Sequence, residues 1–257
     1  SEALQVTQAA EEQLGLKGEE STKTKKQRPL WISTLEFDEA SQASVRELWG
    51  GWADSMPSLR TQEAFHVTLF YWGGKSDKEL SVKYPHLQGP EEVARLREAL
   101  VSREGDALEF HVTALVWDER ISAAAVAGVE DLCGNVYAHA TLAVRDGVAP
   151  IMSNELLARQ AANQGFKGGL TPWLAQLGLL KYREPLEEWC ISSGTDTADA
   201  LVMRAAEVAL ALEPEDADQC ARIRTTLAQA APGQVGETPV EPALPLHGCV
   251  RNRRRGE

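Results

Sequence analysis

The sequence predicts an α+β fold, and three observations carry that reading. The first 150 residues read strand–helix–strand, then helix–strand–strand–strand, as two similar halves that each end in a His-x-Thr strand followed by a glycine. Three of the strand-like runs share a histidine two places before a threonine: 65-FHVTLFYW-72, 110-FHVTALVW-117 and 138-AHATLAV-144. Beyond residue 155 the chain changes character, with alanine and leucine frequent and a helical period dominant.

The elements follow in order. Residues 1–15 predict a short polar helix, and 16–28 a charged tail or linker with a solvated lysine cluster at 23–26. Pro29 opens a strand, 30-LWISTLEF-37. Asp38 has the character of an N-cap. Val45, Leu48, Trp49 and Trp52 then recur at helical spacing, predicting an amphipathic helix over 39–53. A loop with Pro57 leads to a strand at 64–72, ended by Gly73-Gly74. The polar stretch 75–89 reads as a loop. Pro90 sits at a helix start, with Val93, Leu96 and Leu100 as the buried stripe of 90–102. A strand at 107–117, a turn at 118–120 and a strand at 121–128 form a hairpin, and a further strand covers 136–144. Helices are expected at 155–163, 171–182, 197–212 and 216–230, separated by glycines. Residues 232–245 read as a Pro/Gly-rich loop, 243-ALPLHGCV-250 as a short closing strand, and RNRRRGE as a basic tail. The expected organisation is a tail at 1–28, a core of 29–157 and 232–250, a helical insertion at 158–231, and the tail 251–257.

Composition narrows the function. Hydrophobic residues make up 43% of the chain, enough for a sizeable core. The net charge of −12 argues against an extended nucleic-acid surface, which needs many Lys and Arg, but leaves room for a pocket holding one or two phosphates. The four cysteines are widely spaced with no C-x-x-C pair, so no zinc site is expected. The default is reduced thiols in an intracellular compartment, nucleus or cytoplasm. No apolar run approaches a membrane span. The first residue is Ser rather than Met, which reads as a piece of a longer polypeptide.

The histidines carry the chemistry. Only five are present, and three stand in the His-x-Thr pattern. On a strand, residues i and i+2 share a face, so each imidazole projects beside its hydroxyl while Phe65, Val67, Leu69 and Tyr71 point the other way. His66/Thr68 and His139/Thr141 form the equivalent pair, since each strand is followed by a glycine, Gly73 and Gly147. His111 is the odd one: its strand runs into a hairpin and its same-face neighbours Leu115 and Trp117 are large and apolar. Two such strands facing across a cleft would flank one phosphate with two imidazoles and hold its oxygens with two threonine hydroxyls. One His can deprotonate water while the other protonates the departing ribose oxygen. Neither a metal nor another cofactor is called for.

The motifs 66-HVT-68 and 139-HAT-141 resemble the H-x-[TS] signature of the two-histidine (2H) phosphoesterase superfamily. The stretch 146-DGVAPIMSNELL-157 is similar to a segment of the cyclic phosphodiesterase domains of fungal- and plant-type tRNA ligases. The resemblance covers roughly 29–157 plus 243–250. It implies a bilobal fold, with two antiparallel sheets lining a central cleft and helices outside. It also implies metal-independent opening of RNA 2′,3′-cyclic phosphate ends, to a 2′-phosphate, in tRNA splicing or RNA repair. His66, Thr68, His139 and Thr141 would carry the reaction. RNA ends or nucleoside 2′,3′-cyclic phosphates are the implied partners, with ligase and kinase domains on the same polypeptide. Two alternatives stand beside it: a 2H enzyme for 2′–5′ oligonucleotides or small cyclic nucleotides, and a non-catalytic binding module of the same fold.

Four further residues are candidates for substrate contact. Phe70 and Trp72 share the face of His66 by strand alternation, which makes them candidates to stack on a base, although burial in the core is the favoured reading for both. Ser153 and Asn154 follow the second motif, where a helix N-cap is the competing reading for both. His86 reads as exposed and His247 as structural.

Overall fold

The computed structural model describes residues 28–164, 166–212, 217–229 and 235–256. The readings made for residues 1–27 lie outside these.

The first strand, β1 (Leu30–Phe37), runs into helix α1 (Glu39–Ala53) through Asp38, whose carboxylate accepts the Ser41 N–H at 2.8 Å as the N-cap. A short strand β2 (Leu59–Thr61) precedes β3 (His66–Tyr71). The predicted loop at 75–89 contains a helix instead, α2 (Asp77–Lys83). Ser76 and Glu79 form a reciprocal capping box at its start, and Leu80 is its single buried residue, too little apolar pattern to reveal it. Helix α3 (Pro90–Ser102) then buries Val93, Leu96 and Leu100. The hairpin is β4 (Ala107–Trp117) and β5 (Ile121–Ala127), and the second motif strand is β6 (His139–Arg145).

Helices follow: α4 (Ser153–Asn163), α5 (Phe166–Gln176), α6 (Arg183–Ser193), α7 (Ala198–Met203), α8 (Ala205–Ala211) and α9 (Ala217–Gln229). The helix expected at 171–182 is displaced: α5 begins earlier, a short 3₁₀ turn occupies Leu180–Tyr182, and α6 fills a stretch with no helix predicted. These helices build their own apolar cluster around Trp173, Leu174, Leu201, Val208 and Leu227. No helix among the described residues is long and apolar enough to cross a membrane.

The last strand, β7 (Gly236–Arg254), corrects both the Pro/Gly-rich loop and the basic tail of the sequence reading. It inserts between β1 and β4. Residues 248–254 pair with β1, and residues from Gly236 to Cys249 pair with β4. Pro239 and Pro245 fall where only β4 is a partner, so their missing N–H groups leave no ladder bond unmade on the β1 side. The arginines of the tail continue the strand, with Arg251 opposite Thr34 and Arg254 opposite Leu30.

All strand pairings are antiparallel, in the order β2-β6-β3-β1-β7-β4-β5, and β5 also pairs with β6. Six strands thereby close into a barrel. The two separate sheets of the sequence reading are joined because β6 bonds to β5 on one side and to β3 on the other. The β3–β6 seam is a single residue pair, Val67 opposite Ala140. Leu35, Val67, Phe110, Val112, Leu246 and Val250 pack with Val45 and Trp49 of α1 and Leu100 of α3 in one core. Helix α4 lies on the hairpin through Leu156 and Leu157 against Val116 and Ile121. Beside that contact, Arg120 bridges Asp118 and Glu155, each at 2.7 Å and all three buried. Buried charges are tolerable only when so paired, and this cluster fixes the start of α4 against the barrel.

Candidate active site

The single β3–β6 pair brings the two His-x-Thr strands side by side. Val67 and Ala140, the middle residues of the motifs, are both fully buried in the core. Alternation therefore turns His66, Thr68, His139 and Thr141 to the opposite face. An antiparallel register centred on that pair sets His66 across from Thr141 and Thr68 across from His139. All four line one cavity of about 1020 Å³. His111 does not line it; its strand is separated from β3 by β7 and β1, and its ring lies 3.6 Å from Glu109.

A second likeness between the motif strands is a bulge directly after each threonine. On β3, Thr68 and Phe70 face the consecutive residues Thr34 and Ser33 of β1, so Leu69 is extra. On β6, Thr141 and Ala143 face the consecutive residues Ala123 and Ser122 of β5, so Leu142 is extra. A bulge shifts the alternation by one residue. This corrects the placement of Phe70 and Trp72, which are 1% and 0% exposed and do not line the cavity. They stack on each other at 4.0 Å between ring centres, and the Trp72 indole N–H donates to Ser33 Oγ. Tyr71, expected to face inward, lines the cavity instead, together with Tyr84. The loop after the 3₁₀ turn Glu130–Leu132 locks this arrangement. Gly134 donates its N–H to the Leu69 carbonyl at 2.7 Å, and a Cβ on Gly134 would stand 2.0 Å from the Phe70 ring. Its own carbonyl meets His86 Nε2 at 2.9 Å, so His86, exposed as the sequence suggests, also stands on the cavity wall.

His139 is buried, and both its nitrogens are engaged. Nδ1 lies 2.8 Å from the Tyr137 carbonyl, which can only accept, so Nδ1 carries a proton and Nε2 is the working nitrogen. Nε2 lies 2.7 Å from Ser153 Oγ, which is also 3.0 Å from Thr141 Oγ1 and 2.7 Å from the Pro150 carbonyl. Neutral His139 accepts a hydrogen bond from the Ser153 hydroxyl at Nε2. Protonated His139 donates to Ser153, which then turns its own proton to Pro150. Ser153 thus follows the charge of the ring, and it is not an N-cap, since no side chain caps α4. Asn154 lines the cavity and donates to the Ile151 carbonyl at 3.2 Å.

Burial holds His139 below the usual histidine pKa, and the nearby His66 adds to that depression. His66 is open to the cavity, yet the walls around it displace enough water to lower its pKa as well. Arg253 lowers it further and Glu36, directly opposite on β1, raises it. The arginine-rich end of β7 therefore bears on His66 through the Arg253–Glu36 ion pair, Glu36 being the cross-strand partner of His66. Among the described residues no group of three or more His, Cys, Asp or Glu could hold a metal ion.

The model of one protein family, the fungal tRNA ligase phosphodiesterase domain, matches residues 34–173, more than half of the chain. The chain belongs to this family. Both motif pairs of this tRNA ligase phosphodiesterase domain, together with Ser153 and Asn154, fall within the matched region. A solved structure of a fungal RNA kinase is similar at 15% identity and a TM-score of 0.38, over 52% of this chain and 36% of that one. This chain thus spans about a third of the kinase structure's length. No curated protein matches.

Proposed function

We propose that this phosphodiesterase domain is a metal-independent hydrolase of 2′,3′-cyclic phosphate ends of RNA, giving a 2′-phosphate, in tRNA splicing. The supporting observation is that His66, Thr68, His139 and Thr141 line a single cavity. In this reading the near-split barrel is two-lobed, with one motif strand on each side of the β3–β6 seam, 29–157 and 232–250 are the core, and 158–231 is an inserted helical unit.

One imidazole takes a proton from water as its oxygen attacks phosphorus. The other delivers a proton to O3′ as the P–O3′ bond breaks. Proton exchange with solvent resets the pair. Each proton transfer contributes about 10²–10⁴-fold. Thr68 and Thr141 donate to the non-bridging oxygens, where charge accumulates in the transition state. On phosphate binding, Thr141 exchanges its hydrogen bond to Ser153 for one to the ligand.

The test is hydrolysis of 2′,3′-cyclic AMP in EDTA with 2′- and 3′-AMP resolved. Turnover to 2′-AMP should fall about 10²-fold or more in His66→Ala and in His139→Ala, and persist in His111→Ala. A requirement for divalent metal, or equal activity in all three variants, would overturn the reading.

A further inference from the structure

The cavity is larger than a single cyclic nucleotide end calls for. Its 1020 Å³ stands at the upper limit of the roughly 300–1,000 Å³ usual for sites that enclose a whole small ligand. One wall is not made by the barrel. Residues from α5, the 3₁₀ turn and the first turn of α6 complete it. That wall and the α2 end carry Lys181, Arg183 and Lys83, against a single acidic lining residue among the described ones, Glu184. The chain as a whole has 38 acidic and 26 basic residues, so this lining reverses the bulk balance. Lys181 and Arg183 are exposed, and among the described residues Arg183 forms a 3.5 Å ion pair with a half-exposed Glu187. Such a pair is weak enough to be exchanged for a phosphate. Lys83 lies over both cavity tyrosines, 5.0 Å from the Tyr71 ring and 5.1 Å from the Tyr84 ring, so a cation and two aromatic rings share one part of the lining.

From this we infer that the helical wall is a second subsite, in which Lys181 and Arg183 bind the phosphodiester on the 5′ side of the cyclic end. The inference rests on the cyclic phosphodiesterase reading and names the substrate: an oligonucleotide of at least two residues, not a free cyclic mononucleotide. The 3′-terminal cyclic phosphate sits at the His-x-Thr pairs, and the preceding phosphate reaches the cations. The helical block then supplies affinity and direction, while the barrel supplies the chemistry.

The experiment compares kcat/KM for ApA ending in a 2′,3′-cyclic phosphate with that for 2′,3′-cyclic AMP. The full chain should prefer the dinucleotide by about tenfold or more, and Lys181→Gln/Arg183→Gln should lower the preference about tenfold through KM. The salt dependence of the dinucleotide KM should also flatten, by about 0.7 in log–log slope for each phosphate that the variant no longer neutralises. Arg95→Gln, on the outer face of α3, should keep the wild-type ratio and slope. Equal kcat/KM for the two substrates in wild type, or a ratio and slope unchanged in the double variant, would overturn the subsite alone. Absence of turnover on both substrates in wild type would overturn the underlying reading, and the subsite with it. A charge-reversed Lys181→Glu/Arg183→Glu, checked by its melting curve, guards against a glutamine pair that merely preserves hydrogen bonding: it must lower the ratio further.

Discussion

Ser153 Oγ stands 2.7 Å from His139 Nε2, so the working nitrogen of a buried histidine is closed off by a hydroxyl twelve residues beyond Thr141. Removing that hydroxyl leaves Nε2 short of a partner, while the Pro150 carbonyl keeps the Thr141 hydroxyl and the Ser153 N–H. Ser153→Ala should cost about 1–3 kcal/mol of stability, the usual penalty for an orphaned buried polar group. For a chain of this size that is about 2–4 °C of Tm per kcal/mol. It should also lower kcat about tenfold, because the hydroxyl that aims the ring is gone; a melting shift with unchanged kcat would confine Ser153 to a structural role.

The pH dependence follows from two depressed histidines. Both titrate below their ordinary value of 6.5 in the fold, chiefly because burial disfavours the imidazolium. One must be protonated and the other neutral, so kcat/KM should trace a bell whose centre lies below pH 6.5. The same shift affects stability. In the unfolded chain these histidines bind protons at higher pH than in the fold, so stability is fully present above pH 6.5 and declines as pH falls toward the lowered values. Melting from pH 7.5 to 5.0 should show that decline, and His139→Asn should remove part of it. A pH-independent Tm would contradict the burial of His139.

The bulge at Leu69 separates two adjacent aromatics by function. Phe70→Ala removes a fully buried ring and should destabilise by about 3–5 kcal/mol. Tyr71→Ala, on the cavity, should leave the fold largely intact and weaken nucleotide binding by about 1–3 kcal/mol, the value of one base stacked on an aromatic ring. Denaturant unfolding and KM on the two variants should give opposite rankings. The reverse assignment, with Tyr71→Ala the more destabilised and Phe70→Ala the one that weakens binding, would mean that the strand keeps unbroken alternation.

Gly134 tests the same bulge from the other side. A methyl there would overlap the Phe70 ring, and the Gly134 N–H is tied to the Leu69 carbonyl, so the backbone has little room to retreat. Gly134→Ala should lower stability by about 1–3 kcal/mol, measured by urea unfolding, and a neutral result would show that the ring can swing aside.

Much of the molecule is legible in its sequence where period and spacing act locally. The strand at 30–37, the cap at Asp38, the helices at 39–53 and 90–102 and the 107–128 hairpin all follow from local pattern. So do the two motif pairs as the residues sharing a cavity. What stays hidden depends on neighbours. A bulge is set by the strand opposite, so Phe70 and Tyr71 exchange faces without any sign in their own run. The capping box at Ser76 and Glu79 is visible as S-x-x-E, but one buried leucine gives it no periodic support. Prolines conceal β7, because only the strand order reveals which of its positions lack a second partner. The helical wall of the cavity is a tertiary fact, and Lys181 and Arg183 carry no motif at all.

The position of β7 has a consequence for how the domain is made. It fills the gap between β1 and β4, two strands translated about seventy residues apart and both long before it. While the ribosome is still reading through residue 235, β1 and β4 each expose a bare edge, although the motif strands and their histidines have already emerged. The barrel can shut only when β7 has left the exit tunnel. A nascent chain stalled short of that point carries every group proposed for catalysis and no closed scaffold to hold them.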